Sequence, residues 1–426
     1  MSNLIDKKWI SRTGSCAASA TILLLLLHAS GYAQGGRSNQ GTKALHAIFA
    51  AEWDYELEQH PTWASTLGDR RWNERWGDLS MDAILRRHER HREVLAKLRK
   101  INRGALSSAD RLNYDLFKRD YDRRVEGYRY RWFLLPLNQL GGAHTVNELA
   151  EALRFETVND YDDWLARLRA LPAHIDQTMA LLRQGIKERI IHPKIVLQRV
   201  AAQIDHQIVS DPKASPLYKP FTKFSFSIAE TDQIRLAKAA EETIATAVVP
   251  AYRKLREFVV NEYIPAAWDQ VGIWQLPNGA AMYAHAARRS TTTELKPQEI
   301  HEIGLKEVTR IRAEMQAVIN KLGFQGSFAE FAAALHRDQK FYFKTESELL
   351  DGYRALSRRI DPLLVKVFRT LPRMPYGIEP VPANTAPDSP AAFYRRPAVD
   401  GSRAGTFLVN TYKPEIRPKY EMTALS

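Results

Sequence analysis

Two His-Glu dipeptides are the residues of this chain whose types come nearest to metal chemistry. A helical zinc hydrolase needs His-Glu-x-x-His, because four residues bring both imidazoles to one helix face and leave the Glu beside a metal-bound water as general base. In His88-Glu89-Arg90-His91 the second His comes one residue too early. His301-Glu302 is followed by Leu305 where the second ligand should stand. Both pairs read as exposed polar residues on helices. No Gly-x-Ser-x-Gly elbow, phosphate loop or dinucleotide fingerprint occurs. The chain therefore offers no complete catalytic or metal-binding motif.

Two segments carry side chains suited to binding. Tyr121 to Trp132 interleaves aromatics with Arg123, Arg124, Arg129 and Arg131. It could hold an anion, but it reads first as an amphipathic helix end with cation–π packing. Gly272-Ile-Trp-Gln-Leu-Pro-Asn-Gly-Ala-Ala-Met-Tyr-Ala-His285 reads as a loop rich in specific side chains, and such loops are often functional. It runs into Arg288-Arg-Ser-Thr-Thr-Thr293, which either donates to a ligand or caps the helix that follows.

The elements that must position these groups are helices. Leu45, Ile48, Phe49, Trp53 and Leu57 recur at spacings of three and four. A Ser80 cap opens the next apolar period, and Ser107 with Asp110 opens another. Thr157 with Asp160 starts a helix carrying Tyr161, Trp164, Leu165 and Leu168, and Pro172 suits the first turn of a further one. His192-Pro193 interrupts the pattern. The strongest helix begins at Pro297, with an apolar stripe from Ile300 to Leu322 and Gly323 as its stop. Ser327 with Glu330 and Thr345 with Glu348 read as capping boxes. Prolines crowd the chain from 372 to 397 and exclude helix there, and 383–390 reads as loop. Gly405 to Tyr412 reads as a strand, with a second short one around Tyr376–Val381. The fold class is mainly α, with a short strand segment near the C-terminus.

At the N-terminus, Lys7, Lys8 and Arg12 precede an apolar run from Ala17 to Ala29, followed by Gly31 and Ala33. That is a secretory signal peptide over residues 1–33. The run is shorter than the ~20 residues needed to span a bilayer. Export to the periplasm or beyond follows, with no stable membrane insertion after cleavage. Cys16 is the single cysteine, and it precedes the apolar run, which argues against a lipoprotein. Cleavage leaves no thiol for a disulfide, a zinc site or a nucleophile. Roughly 390 residues remain, enough for a sizeable core in one helical body, 34–426. The net charge is +12, but basic residues interleave with acidic ones along helices, and export argues against nucleic acid as a partner.

Trp274-Gln-Leu-Pro-Asn-Gly, Tyr283-Ala-His285, Thr291-Thr-Thr293 and Pro297-Gln-Glu-Ile-His301-Glu-Ile-Gly304 resemble the bacterial domain of unknown function family 885. So do Pro61-Thr-Trp-Ala-Ser-Thr-Leu-Gly68, Gly405-Thr-Phe-Leu-Val-Asn-Thr-Tyr412 and Arg417-Pro-Lys-Tyr-Glu-Met. The order and spacing of these segments cover nearly the whole chain after the signal.

That resemblance implies a zincin-like body and an exported, zinc-dependent peptidase-like hydrolase. In relatives a His-Glu opens the active-site helix just after the Arg-Pro-Lys-Tyr-Glu-Met segment, and a Pro-Gly-His-His follows. This sequence stops at Ser426, before that point. No metal ligand and no catalytic residue carries over, and zinc and a peptide substrate are expected of full-length relatives. The expectation for this chain is a truncated, catalytically inactive product. What carries over is the wall of the cleft. Gly405 to Tyr412 is the candidate for the strand that pairs with substrate backbone. Asn410 and Tyr412 are candidate substrate-binding residues, with Tyr283, His285 and Arg288 as donors from another side. The alternative is a non-catalytic helical envelope protein that binds peptides or anionic polymers.

Overall fold

The computed structural model describes residues 40–383, 385–398, 401 and 403–425. The signal-peptide reading of residues 1–33 lies outside the described residues. Contacts divide the chain into two compact units. The first comprises residues up to Thr62 and Asn73–Pro297, and the second Trp63–Trp72 and Gln298–Ser426.

The first unit is helical. Its chain runs through α1 (Gln40–Gln59), leaves within α2 (Pro61–Thr66), and returns for α3 (Met81–Arg99) and α4 (Ser108–Gly127). Then come α5 (Asn147–Ala152), α6 (Val158–Glu188), α7 (Lys194–Asp205), α8 (Glu230–Thr243), α9 (Val249–Phe258), α10 (Ile264–Ala266) and α11 (Gly279–Thr291). Caps fall where the sequence puts them. Ser80 and Ser107 accept from Ala83 N and Asp110 N, and Thr157 with Asp160 forms a full capping box. Pro172 does not start a new helix as its position suggests but lies inside α6. Proline costs ~3 kcal/mol in a helix interior, and the continuous stripe Trp164, Leu168, Leu171, Ile175, Met179 and Leu182, all buried in the main core, outweighs that cost. Two π turns, Ile244–Val248 and Val259–Tyr263, join α8 to α9 and α9 to α10 just ahead of Pro250 and Pro265. The wider turn relieves the hydrogen bond and the contact that each proline ring would otherwise break.

A smaller core of Leu45, Phe49, Val94, Leu98, Phe117 and Tyr121 joins α1, α3 and α4. Beside it lies a buried ionic network. Glu52 accepts from Arg90 (2.8 Å to Nε) and from the Tyr121 hydroxyl (2.8 Å). Glu56 pairs with Arg124 and faces His60 Nε2 at 3.5 Å and His91 Nε2 at 3.9 Å.

The second unit contains α12 (Pro297–Lys321), α13 (Phe328–Arg337), α14 (Glu346–Ile360) and α15 (Leu364–Val367), then a three-stranded sheet and α16 (Met422–Leu425). The strands are β1 (Tyr376–Pro380), β2 (Ala392–Arg395) and β3 (Gly405–Val409), in the order β1-β3-β2. β1 runs parallel to β3, pairing Tyr376 with Gly405, and β2 runs antiparallel, pairing Phe393 with Leu408. The sequence shows β1 and β3 but not β2. Four residues beside Arg396-Pro397 are too short for a period of two to be visible. The Ser327–Glu330 capping box is present. Thr345 caps α14 through Glu348 N, but Glu348 Oε2 accepts from Lys344 N, so the second box is incomplete.

β3 is the central strand, so both of its edges are taken over Thr406–Val409. This corrects the expectation that β3 pairs with substrate backbone. Backbone groups open to a further strand lie on the outer edges of β1 and β2.

The apolar period of α12 also meets a different fate from a core stripe. Only Ile319 is buried, while Ile303, Val308, Met315, Val318 and Leu322 are exposed. Val308→Glu and Val318→Glu should each shift the urea-unfolding free energy by less than about 0.5 kcal/mol, the usual range at a surface position. The same changes should reduce binding of a fluorescent apolar dye. A loss above 1 kcal/mol in either variant would show that the face is covered in solution.

Candidate functional site

His301 and Glu302 are exposed on α12, as the sequence suggests, and Glu302 accepts from Gln298 (3.2 Å). His88 and His91 are half-buried rather than exposed. His88 stacks on Tyr128 with ring centroids 3.9 Å apart, and His91 faces Glu56 and the edge of Tyr121. Among the described residues no three His, Cys, Asp or Glu side chains converge as metal ligands. The described residues do not fit a zinc ion.

The candidates of the first unit sit on α11. The 272–285 segment is not a loop throughout, because a helix begins at Gly279 directly after Asn278, which takes the left-handed region at φ 60°. A Cβ at Gly279 would lie 2.0 Å from the Ile273 carbonyl oxygen, so glycine is required there. Thr291 bonds back to Ala287 O and Thr292 closes α11 at φ 57°, so this threonine run ends one helix rather than capping the next. His285 and Arg288 come together on Glu126 of α4. His285 Nδ1 is 3.4 Å from Oε2, and Arg288 donates to Oε1 at 2.6 Å. Burial pushes the His285 imidazole below its ordinary pKa, partly offset by Glu126. Burial would raise Glu126, but hydrogen bonding and charge from Arg288 hold it below the usual carboxylate range. His285 is 4% exposed and packed beside Tyr130, whereas Tyr283 is 53% exposed.

The candidates of the second unit sit at the end of β3. Asn410 is buried, and its amide donates to Ala386 O (2.7 Å) and Ser389 O (3.0 Å), while its Oδ1 accepts from Tyr412 N (3.1 Å). This fixes the turn that leads out of the sheet and leaves the Tyr412 ring half-exposed. Asn410 also lines a small, partly open cleft of about 20 Å³. Its walls are Phe343, Leu349 and Tyr353 around the start of α14, together with Arg417 and Met422 from the closing segment. Arg417 Nε donates to Tyr412 O at 2.8 Å. Burial lowers its pKa, opposed by Tyr353 and Glu421. Arg417, Tyr353 and Phe343 are the site residues that sequence reasoning missed. Arg417 opens a segment that carries the resemblance, but nothing local shows that its guanidinium meets an apolar wall.

A comparison with curated proteins gives no match. The crystal structure of a candidate lipoprotein from Colwellia psychrerythraea matches with a TM-score of 0.83 at 19% identity, over 91% of this chain and 70% of that one. A candidate lipoprotein of unknown function from Shewanella oneidensis matches with a TM-score of 0.53 at 13% identity, over 91% of this chain and 67% of that one. At such identities the likeness establishes the fold. No helix among the described residues is long and apolar enough to cross a membrane. The family model of a bacterial protein of unknown function, DUF885, matches residues 61–426, and the chain belongs to that family.

Proposed function

We propose that this chain is the substrate-binding body of an exported, zinc-dependent peptidase-like hydrolase, and that its own share of the work is to hold peptide rather than to cut it. The observation that carries this reading is the cleft at the end of β3. It joins an aromatic and aliphatic wall to one guanidinium, beside a small sheet whose outer strands have an edge to offer. Apolar walls with a few fixed polar groups suit a peptide side chain and its neighbouring carbonyls. The matching candidate lipoproteins, a class of exported proteins, support export.

Photocrosslinking tests this reading. Short apolar peptides carrying benzoylphenylalanine, irradiated with the chain, should attach to Phe343, Tyr353 or Met422 and be competed by unlabelled peptide. Attachment scattered over the surface, or none above a scrambled non-peptide control, would reject peptide holding at this cleft.

A further inference from the structure

Arg417 differs from most of the basic residues around it. Among the described residues its one hydrogen bond runs from Nε to the Tyr412 carbonyl, and no carboxylate forms an ion pair with it. Lys419, two residues on, is already paired with Glu348 at 3.6 Å and lies over the Phe343 ring at 5.3 Å. Glu421 lines the same cleft and acts on Arg417 through space, short of ion-pair distance. The guanidinium thus keeps both terminal nitrogens for a partner, and Nε anchors its plane. Phe343, Leu349, Tyr353 and Met422 face it with apolar surface. A planar, anchored fork in a partly desolvated cleft is the arrangement that binds a carboxylate through two parallel hydrogen bonds.

We infer that the cleft recognises the C-terminal carboxylate of a peptide, with Arg417 as the carboxylate-binding residue and the Phe343–Met422 wall beside it. The inference rests on the peptide-holding reading above and names the end of the peptide that enters. The Tyr353 hydroxyl stands on the same wall as a second polar group, and burial keeps its proton on by raising its pKa.

The experiment is fluorescence anisotropy with a labelled pentapeptide ending in leucine, as the free acid and as the amide, at low and at 0.5 M salt. The wild-type chain should bind the acid at least tenfold more tightly than the amide, with the gap narrowing at high salt. Arg417→Met should bring acid and amide to similar affinity, and Arg417→Lys should retain part of the preference, since a point charge replaces the fork. Circular dichroism verifies that each variant is folded, and the acid–amide comparison on the wild type needs no variant. Equal binding of acid and amide overturns the carboxylate inference and leaves peptide holding intact. An amide carrying an internal Asp that binds as tightly as the acid assigns Arg417 to acidic side chains and also overturns it. No binding of any peptide removes the peptide-holding reading and the inference with it.

Discussion

Arg124→Met should destabilise the α1, α3 and α4 assembly by about 3–5 kcal/mol, because it removes one partner of a buried ion pair and strands the other. Arg124 pairs with Glu56 and donates to Asp120 at 2.7 Å, and its guanidinium stacks over Tyr121 with 5.0 Å to the ring centroid. Glu56 is 8% exposed, so water cannot replace the lost charge. Burial alone would raise the Glu56 pKa, but hydrogen bonds from His60 and His91 and the charge of Arg124 hold it well below the usual carboxylate range. A carboxyl whose folded pKa is depressed contributes stability that is present above its unfolded pKa and is lost as pH falls below it. The wild-type chain should therefore lose stability as pH drops below about 4.5, the ordinary value for Glu. That acid-side slope should be shallower in Arg124→Met and shallower still in Glu56→Gln. Urea unfolding at pH 7 and pH 3, with amide exchange read in α1 and α4, measures both effects. A loss under 1 kcal/mol at pH 7, or an unchanged acid slope, would mean the pair is solvated and does not hold the bundle.

This network shows why part of the molecule was legible and part was not. Helix starts are local events. Ser80, Ser107, Thr157 and Ser327 each satisfy a backbone N–H within three residues, so the signal lies entirely in short sequence. Apolar period is local as well, but it reports which face of a helix favours burial, not whether anything covers it. The α6 stripe is buried and the α12 stripe is exposed on equally regular patterns. Glu52 and Glu56, by contrast, fall on the same face of α1 as Leu45 and Phe49, and their residue type alone speaks against burial. Their partners Arg90, Tyr121 and Arg124 come from other helices, and no spacing within α1 announces them. The same limit applies to strand order. The composition of Gly405–Val409 shows that β3 exists, but its central place depends on the four-residue β2.

The candidate site divides along the same line. The segments that carry the family resemblance contain Asn410, Tyr412 and Arg417, so the sequence points to the right stretch of chain. The roles depend on geometry that residue type does not determine. By residue type Asn410 is a side chain able to reach a ligand, whereas in the structure its amide is engaged by the turn it sits in. Arg417 lies in one of the segments that carry the resemblance, and its guanidinium has hydrogen-bonding capacity to spare.

Asn410→Leu decides between these roles for the amide, and its expected cost is large. Leucine has a similar branched shape but leaves Ser389 O and Tyr412 N without partners and Ala386 O with the Ser389 N–H at 3.3 Å. Each buried orphan costs about 1–3 kcal/mol, so the loss should be about 2–6 kcal/mol. Amide exchange should accelerate across β3 and the start of α14, where Val409 packs with Leu349 and Tyr353. Asn410→Asp should be no better at neutral pH. It keeps the acceptor for Tyr412 N but turns a carboxylate toward two carbonyl oxygens. A carboxyl in that position has its folded pKa raised, so part of the stability should return as pH falls and the protonated group donates to one carbonyl. A ligand-facing amide would behave in the opposite way. Asn410→Leu would then keep the unfolding midpoint and the exchange pattern and lose only affinity for peptide, and that result would move Asn410 from the framework of the cleft to its binding surface.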